Sequence, residues 1–265
     1  MGCWRRDERR FGRKVVLPLR EAVIASTARM STPSPLATNI TWHEMAPRIE
    51  HTILRPDASR EQVTRLCDEA KHFNFAAVVV NPFHIALAAR LTRDTPIKVA
   101  TVIGFPLGAT LNTVKRFEAS EALRLGADDL DMVINIGALK SGDRDGVVGD
   151  IAAVVEVAHR ASAIVKVILE ATYLTDDEKK LACELCLEAN ADFVKTSTGF
   201  GPTGATVEDV ALMKRVVGNR AGVKAAGGIR NAHDAVAMIS AGADRIGTSA
   251  SVAIMKELGA PGLSG

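Results

Sequence analysis

Two lysines that each close a short apolar run are the residues best suited to chemistry. Lys195 follows residues 191–194 and Lys224 follows residues 221–223, and after each the chain breaks into a loop of small residues. A lysine at the end of a buried strand loses hydration, which lowers its pKa and makes the amine nucleophilic. A neutral amine of this kind attacks a carbonyl carbon, so the pair predicts Schiff-base chemistry.

The second lysine strengthens that prediction because its charge lowers the pKa of the first. Two ammonium groups about 6 Å apart, at an effective dielectric of about 20, repel by roughly 2.8 kcal/mol, or about two pKa units. A free lysine, with a pKa of about 10.4, needs about three units of depression to be substantially neutral at pH 7. We therefore expect the burial of Lys195 to supply the remainder.

Neighbouring strands are predicted to contribute further ionisable residues. Asp131 lies within the predicted fourth strand and Lys166 within the fifth. Lys166 is either the partner of Asp131 in a structural ion pair or a contact for substrate, and the sequence leaves both open. Three lysines against one aspartate leave a surplus of positive charge, which an anionic substrate would meet and Glu170 would partly balance. Asp128 and Asp129, which precede the fourth strand, are expected in a solvated loop.

Small residues recur in the loops after the last three predicted strands. Gly199 follows the sixth strand, Gly227 and Gly228 follow the seventh, and Gly247 and Ser249 follow the eighth. Glycines let backbone N–H groups approach an anion, and Ser249 is predicted to open the last helix, whose N-terminus is electropositive. The three loops together predict a phosphate-binding site.

The elements that must position these residues follow a regular alternation of β-type runs and amphipathic helices. The alternation gives eight β–α units, and eight is the number that closes a barrel. We therefore predict an α/β fold, a single (β/α)8 TIM barrel, with an open doubly wound sheet as the alternative. Ser59, Thr175 and Thr206 are predicted to begin helices. The predicted strand and helix pairs are 51–54 and 60–72, 76–80 and 83–92, 97–103 and 110–125, 128–134 and 145–161, 164–169 and 176–188, 192–195 and 206–217, 222–224 and 231–240, and 244–247 and 249–258.

The composition argues against several classes of function. The chain is 47% hydrophobic and 4% aromatic, which suits parallel strands buried on both faces. The net charge of +2 argues against an electrostatic field strong enough to attract nucleic acid or a membrane surface. No apolar run is long enough to span a membrane. Four cysteines do not make a disulfide framework in 265 residues, and Cys183 and Cys186 fall in a helical pattern without a second ligand pair. We therefore expect a reduced, cytoplasmic compartment and no metal.

The first 45 residues differ in composition from the rest. Eight basic residues outweigh three acidic ones before residue 30, and the Ser-Thr-Pro-Ser-Pro segment at 31–35 is typical of a linker. We predict a basic, flexible and poorly ordered N-terminal extension over 1–45, the barrel over 46–258 and a short tail over 259–265. A nucleic-acid arm and an organelle address are functional alternatives for the extension, although we expect neither nucleic acid nor membrane as a partner.

Eight stretches of the sequence, in order, resemble the deoxyribose-phosphate aldolase family of class I aldolases. They are IEHTILRP at 49–56, VNP at 80–82, VIGFP at 102–106, GADDLDMVIN at 126–135, VKVILE at 165–170, FVKTSTG at 193–199, VKAAGGIR at 223–230 and RIGTS at 245–249. The resemblance implies an enzyme without metal or cofactor that cleaves 2-deoxy-D-ribose 5-phosphate to D-glyceraldehyde 3-phosphate and acetaldehyde, in deoxyribonucleotide catabolism. It also implies a homo-oligomer, which we expect to be a dimer.

The resemblance assigns a role to each candidate residue. The family's Schiff-base lysine falls on Lys195, its second lysine, which tunes the pKa and relays protons, on Lys224, and its proton-relaying aspartate on Asp131. The family's phosphate contacts match Gly199, Gly227, Gly228, Gly247 and Ser249.

Three positions depart from the family's pattern. Glu50 stands where the family usually has aspartate, which we expect to shift a contact to a substrate hydroxyl. Val79 replaces a cysteine that lies outside the proton relay, so activity should survive. The C-terminal tyrosine that some members bring to the site has no counterpart before Gly265, so we expect proton transfer without it.

Two other functions remain open at the level of sequence. A sugar-phosphate isomerase on the same barrel would use carboxylates and would not need a pair of strand-end lysines. A binding module without turnover would keep the phosphate loops but would not need Lys195, Lys224 and Asp131 together. Borohydride trapping in the presence of substrate distinguishes these functions from an aldolase, because only an imine is reduced onto the protein.

Removal of residues 1–40 should leave catalytic activity essentially unchanged, because the extension carries none of the family's motifs and precedes the first predicted strand. The measurement is kcat/KM of the truncated and full chains, after circular dichroism has confirmed that both are folded. Loss of activity in a folded truncated protein would show instead that the extension reaches the site.

Overall fold

The described part of the chain, residues 40–262 of a computed structural model, forms a closed barrel of eight parallel strands. Each strand pairs with the next in chain order, and β1 pairs with β8 to complete the ring. The predicted barrel is therefore confirmed, and the open doubly wound sheet is excluded. The predicted extension over 1–45 lies outside the described residues up to position 39, and the predicted tail over 259–265 does so from position 263. These domain boundaries stay predictions.

Strands and helices alternate around the barrel. The strands are β1 (Ile49–Ile53), β2 (Ala77–Val80), β3 (Lys98–Ile103), β4 (Asp129–Val133), β5 (Ile164–Ile168), β6 (Phe193–Lys195), β7 (Gly222–Ala226) and β8 (Arg245–Thr248). The helices are α1 (Trp42–Met45), α2 (Arg60–Phe73), α3 (Ile85–Thr92), α4 (Asn112–Arg124), α5 (Ile136–Lys140), α6 (Arg144–Arg160), α7 (Asp176–Glu188), α8 (Val207–Val217), α9 (Ala232–Ser240) and α10 (Ser251–Glu257). None of the described helices is long and apolar enough to cross a bilayer.

Side chains at the predicted positions begin the helices. Ser59 and Thr175 each accept a hydrogen bond from a backbone N–H in the first turn and form complete capping boxes, with Gln62 and Glu178 bonding back to the backbone. Thr206 accepts from the N–H of Asp209 in the same way. These caps fix where each βα loop ends, and the loops carry the candidate site.

The strand register aligns the charged residues that the sequence singled out. Asp131 lies opposite Lys166 across β4 and β5, and Lys195 lies opposite Lys224 across β6 and β7. The core between strands and helices consists almost wholly of aliphatic side chains, as the composition predicts. The charged side chains therefore point to the barrel interior, since the other strand face is filled by this core.

Four of the differences from the predicted element boundaries affect the candidate site. β1 begins at Ile49, so Glu50 is a strand residue, and Asp129 lies in β4 rather than in a solvated loop. β7 continues to Ala226, which places Lys224 inside the strand rather than at its end. α10 begins at Ser251, so Ser249 lies in the loop before that helix rather than opening it. The last two residues of β7 are alanines, whose small side chains do not stand out as a strand pattern, so the prediction ended β7 too early.

A buried ion pair joins the helix layer to the strand that carries Asp131. Lys115 on α4 donates to Asp150 on α6 at 2.5 Å and to the carbonyl oxygen of Val133, the last residue of β4, at 2.8 Å. Burial lowers the pKa of Lys115, and Asp150 opposes that effect. Breaking such a pair leaves a buried charge uncompensated.

Replacement of Asp150 by alanine should lower the free energy of unfolding by about 3–5 kcal/mol, because Lys115 would lose its buried partner. The measurement is urea unfolding followed by circular dichroism. Glu121→Ala is the control, because it breaks the exposed Glu121–Arg124 pair and should lower the free energy of unfolding far less than Asp150→Ala does. Equal losses in the two variants would contradict the expected contribution of the buried pair.

Candidate active site

A cavity of about 430 Å³ opens at the end of the barrel where the strands run into their following loops. Six of the predicted site residues line it, namely Lys195, Gly199, Gly227, Gly228, Gly247 and Ser249. Asp131, Lys166 and Lys224 do not line the cavity but are fully buried below it. The structure thus brings the predicted phosphate loops and Lys195 together at one opening, with the remaining charges beneath.

Asp131 bridges the two lysines that the sequence singled out. The Lys195 Nζ donates to Oδ2 of Asp131 at 2.7 Å, and the Lys224 Nζ donates to the same oxygen at 2.6 Å. The two amines therefore lie no farther apart than these two bonds combined, which is closer than the separation of about 6 Å assumed from the sequence. Proton exchange among the three groups needs no rearrangement of the barrel.

A second layer of charges lies around Lys166. Its Nζ is 2.6 Å from Oδ2 of Asp129, 3.3 Å from Oδ1 of Asp131 and 3.4 Å from Oε1 of Glu50. Glu50 also accepts a hydrogen bond from Lys224 through its other oxygen. The geometry favours the structural alternative for Lys166, because the residue has three carboxylate partners and does not line the cavity.

The predicted surplus of positive charge is wrong. Glu50 and Asp129 join Asp131, so three carboxylates face three lysines below the cavity. Glu170, proposed from the sequence as a partial counter-charge, bonds instead to the backbone and hydroxyl of Thr198. An anionic substrate is therefore not needed to neutralise the lysines. The prediction of an anionic substrate depends instead on the glycine loops after β6, β7 and β8.

The pKa of Lys195 is lowered to about 8, chiefly because burial disfavours its charged form. The carboxylate of Asp131 opposes this shift, and the charge of Lys224 adds to it. At pH 7 about a tenth of such an amine is neutral, against less than about a thousandth for an ordinary lysine. Lys195 is thus the group that can act as a nucleophile towards a molecule in the cavity.

The surrounding charges keep their partners ionised. Burial raises the pKa of Asp131, but Lys195, Lys224 and Lys166 outweigh that effect and hold it well below the usual range. Burial likewise opposes a charged Lys166, but Glu50, Asp131 and Asp129 raise its pKa overall. Asp131 is therefore ionised and hydrogen-bonded to the Lys195 amine, in place to accept a proton once that nitrogen becomes acidic on carbonyl addition.

The glycine loops form one wall of the cavity. Gly199, Gly227 and Gly228 have φ angles of 85°, 88° and 79°, a region that side chains rarely adopt. The loop after β6 is tied to the loop after β7, because the N–H of Ala205 donates to the carbonyl oxygen of Gly227 at 3.0 Å. Bare backbone on a fixed wall suits an oxyanion, which accepts hydrogen bonds from N–H groups.

Gly247 is needed for close packing as well as for access to the cavity. A Cβ at this position would lie 3.0 Å from Cε of Lys224 and 3.1 Å from the Cβ of Ala226. The absence of a side chain on β8 therefore leaves space for the extended Lys224 side chain to reach Asp131.

The sequence did not predict several residues of the site. Glu50 stood out only as a departure from the family's pattern, although strand alternation places it and Thr52 on the same face of β1. Arg55 and Arg230 line the cavity mouth, where Arg55 is paired with Asp57. Phe200 also lines it and meets Phe105 edge to face, with ring centroids 5.4 Å apart. Only the placement of Glu50 could have been found from strand alternation.

The three buried cysteines of the described region are unreactive by environment. Burial raises the pKa of Cys67 to about 11 and that of Cys183 to about 12, and it raises the pKa of Cys186 further. Cys183 and Cys186 both lie on α7, as the helical pattern predicts. Neither thiol is available as a thiolate near neutral pH.

Comparison with known proteins identifies the relatives of this chain. The model of the DeoC/LacD family of aldolases matches residues 48–257. A deoxyribose-phosphate aldolase of Thermococcus gammatolerans is 60% identical over 215 residues, which cover 80% of this chain and 96% of the relative.

Two solved structures share the fold. One, described as QR15, an aldolase, is 43% identical with a TM-score of 0.77 and covers 81% of this chain and 95% of its own. A deoxyribose phosphate aldolase of Aeropyrum pernix, described as having a unique tetrameric structure, is 36% identical with a TM-score of 0.77. The match covers 82% of this chain and 91% of that one.

Replacement of Lys224 by leucine should raise the pKa of Lys195 from about 8 towards its ordinary value. The change removes a repelling charge worth about two pKa units and frees carboxylates that favour a charged amine, so neutral Lys195 at pH 7 should fall roughly a hundredfold. The measurement is the pH dependence of Lys195 modification by a small aldehyde and borohydride, mapped by mass spectrometry.

Lys195→Leu is the control for that titration, and it should show no modification at this position at any pH. An unchanged midpoint in Lys224→Leu would mean that burial alone sets the pKa of Lys195.

Proposed function

The chain belongs to the DeoC/LacD family of aldolases, and from that membership we propose that it cleaves 2-deoxy-D-ribose 5-phosphate reversibly to D-glyceraldehyde 3-phosphate and acetaldehyde. The observation that carries the proposal is the Lys195 amine, which faces the cavity with a pKa near 8 beside an ionised Asp131. The names of relatives such as the Thermococcus gammatolerans aldolase support the choice of substrate. The reaction serves deoxyribonucleotide catabolism, as the resemblance to the family implies.

The first step is addition of the neutral Lys195 amine to the aldehyde carbon C1 of the ring-opened sugar. Two protons must then reach the carbinolamine oxygen before it leaves as water. Asp131 takes the proton that the attacking nitrogen releases and passes it to the oxygen. Lys224, bonded to the same carboxylate oxygen, supplies the second proton from its ammonium group. The product is a protonated imine between C1 and Lys195.

The protonated imine then accepts the electron pair of the bond between C2 and C3. As that bond breaks, the hydroxyl on C3 loses its proton and becomes the aldehyde of glyceraldehyde 3-phosphate. The two remaining carbons form an enamine on Lys195, which takes a proton at C2 and is hydrolysed to acetaldehyde. Asp131 and Lys224 exchange the same protons in reverse during hydrolysis.

The glycine wall selects the phosphorylated substrate. Gly199, Gly227 and Gly228 offer backbone N–H groups, and the side chain of Ser249 offers a hydroxyl at the same opening. Arg230 adds positive charge at the mouth, so a dianion meets donors on the wall and a cation at the rim. Lys195 then meets the far end of the extended sugar chain.

The assembly and location of the enzyme stay predictions. We propose a homodimer, as expected from the sequence, whereas the Aeropyrum pernix relative is described as a tetramer. A cytoplasmic location is consistent with the buried, reduced cysteines.

Borohydride trapping tests the proposed function. Incubation with 2-deoxyribose 5-phosphate and borohydride should inactivate the enzyme and add a reduced two-carbon or five-carbon adduct to Lys195, identified by peptide mass mapping. The Lys195→Leu protein should carry no adduct and should release no acetaldehyde. Turnover without a trapped adduct, or an adduct on another lysine, would overturn the mechanism.

Replacement of Ser249 by aspartate should raise KM for 2-deoxyribose 5-phosphate by at least about tenfold, because a carboxylate would face the substrate dianion. Activity on unphosphorylated 2-deoxyribose should change little. Ser249 suits the test better than Gly228, whose φ of 79° would strain any side chain. Ser249→Ala is the control for loss of the hydroxyl alone, and equal losses on both sugars would place the phosphate elsewhere.

A further inference from the structure

We propose that Glu170 is a positioning residue that holds the loop after β6 in the form that binds the substrate's phosphate, an inference that rests on the proposed function. Glu170 follows β5 and is only 2% exposed. One of its carboxylate oxygens accepts hydrogen bonds from the N–H of Thr198, at 3.2 Å, and from the Thr198 hydroxyl. No role in binding follows from the sequence motif alone.

The hydrogen bonds continue from Thr198 along the loop. The Thr198 hydroxyl oxygen accepts from the N–H of Phe200 at 3.0 Å. Gly199, which lies between them with a φ of 85°, lines the cavity together with both neighbours. A single carboxylate therefore fixes the conformation of three successive residues of the glycine wall.

Packing against Gly201 makes the position of the Glu170 carboxylate specific. A Cβ on Gly201 would lie 3.0 Å from both Cδ and Oε1 of Glu170, which is tighter than ordinary van der Waals contact, so the carboxylate would have to shift. The absence of a side chain on Gly201 thus lets the Glu170 carboxylate lie directly against the loop.

The backbone forces Glu170 into this place at some cost. The N–H of Leu169 donates to the carbonyl oxygen of Lys195, and the N–H of Ala171 donates to that of Thr196, both at 2.9 Å. Between these two anchors Glu170 takes a φ of 52°, in the left-handed region that non-glycine residues rarely adopt. Strain of this kind persists where surrounding contacts fix the conformation, and it concentrates at functional sites.

The carboxyl group of Glu170 has no ion-pair partner among residues 40–262. Its Oε1 also has no hydrogen-bond partner among these residues. A buried carboxylate held only by Thr198 stabilises the fold poorly. The hydrogen bonds that its side chain makes all go to Thr198 in the loop after β6.

The inference predicts a selective defect. Lys195 is held by its own strand pairs, so loss of the Glu170 carboxylate should spare the amine and loosen the loop. Glu170→Ala should raise both KM for 2-deoxyribose 5-phosphate and Kd for inorganic phosphate by about tenfold, with kcat/KM for unphosphorylated 2-deoxyribose within about twofold of the parent. Glu170→Gln should retain most phosphate affinity, because its amide oxygen still accepts from Thr198.

Two further variants make the test decisive. Gly201→Ala keeps Glu170 but displaces its carboxylate, so it should weaken phosphate binding in the same direction, and it decides the question if Glu170→Ala does not fold. Glu118→Ala is the matched control, because Glu118 accepts from the N–H of Gly104 in the loop after β3, outside the glycine wall. It should leave phosphate affinity unchanged.

Kd for inorganic phosphate, measured by calorimetry on the full chain, separates this inference from the proposed function. A parent protein that binds phosphate but turns over neither sugar would end the proposed function while the Kd series still decides the role of Glu170. Unchanged phosphate affinity in both Glu170→Ala and Gly201→Ala would overturn the positioning role. Equal losses on both sugars would overturn it too, because a general structural defect would explain them.

Discussion

Six buried charges must balance one another inside the barrel, and this requirement governs the rest of the structure. The three lysines and three carboxylates come from five strands, and each is costly to bury unless its partners are in place. The strand register is therefore constrained by charge as well as by packing. A slip of one residue in β4 or β6 would turn Asp131 or Lys195 towards the aliphatic layer. The reactive amine is thus a product of the same balance that keeps the barrel in register.

The buried charges and the cavity wall lie at different depths in the barrel and have different chemical properties. Below the cavity the charges are paired and nearly inaccessible, whereas above it the wall is backbone from three loops. Lys195 lies at the boundary, where β6 ends, so its amine contacts both the buried carboxylate and the cavity. This placement explains how one lysine becomes partly neutral while Lys166, a few ångströms deeper, is driven further towards its charged form.

The sequence predicts the barrel and the reactive pair because both leave local signals. The eight units are marked by β-type apolar runs that alternate with amphipathic helical patterns. A lysine that ends an apolar run, such as Lys195, is uncommon and therefore stands out. Asp129 was misplaced because a charged residue at a strand's first position looks like a loop. The contact between Glu50 and Lys224 could not be predicted at all, since β1 and β7 are not neighbours and their side chains meet only across the closed interior.

The Glu50–Lys224 contact joins residues 174 positions apart in the chain. During synthesis on a ribosome, Glu50 emerges long before Lys224 exists, so its carboxylate must stay hydrated until most of the chain has been made. A partly formed barrel would therefore keep a hydrated interior. Water would leave it only when the last three strands pair. Closure of the barrel interior and completion of the candidate site are consequently one event, which occurs late in the folding of the chain.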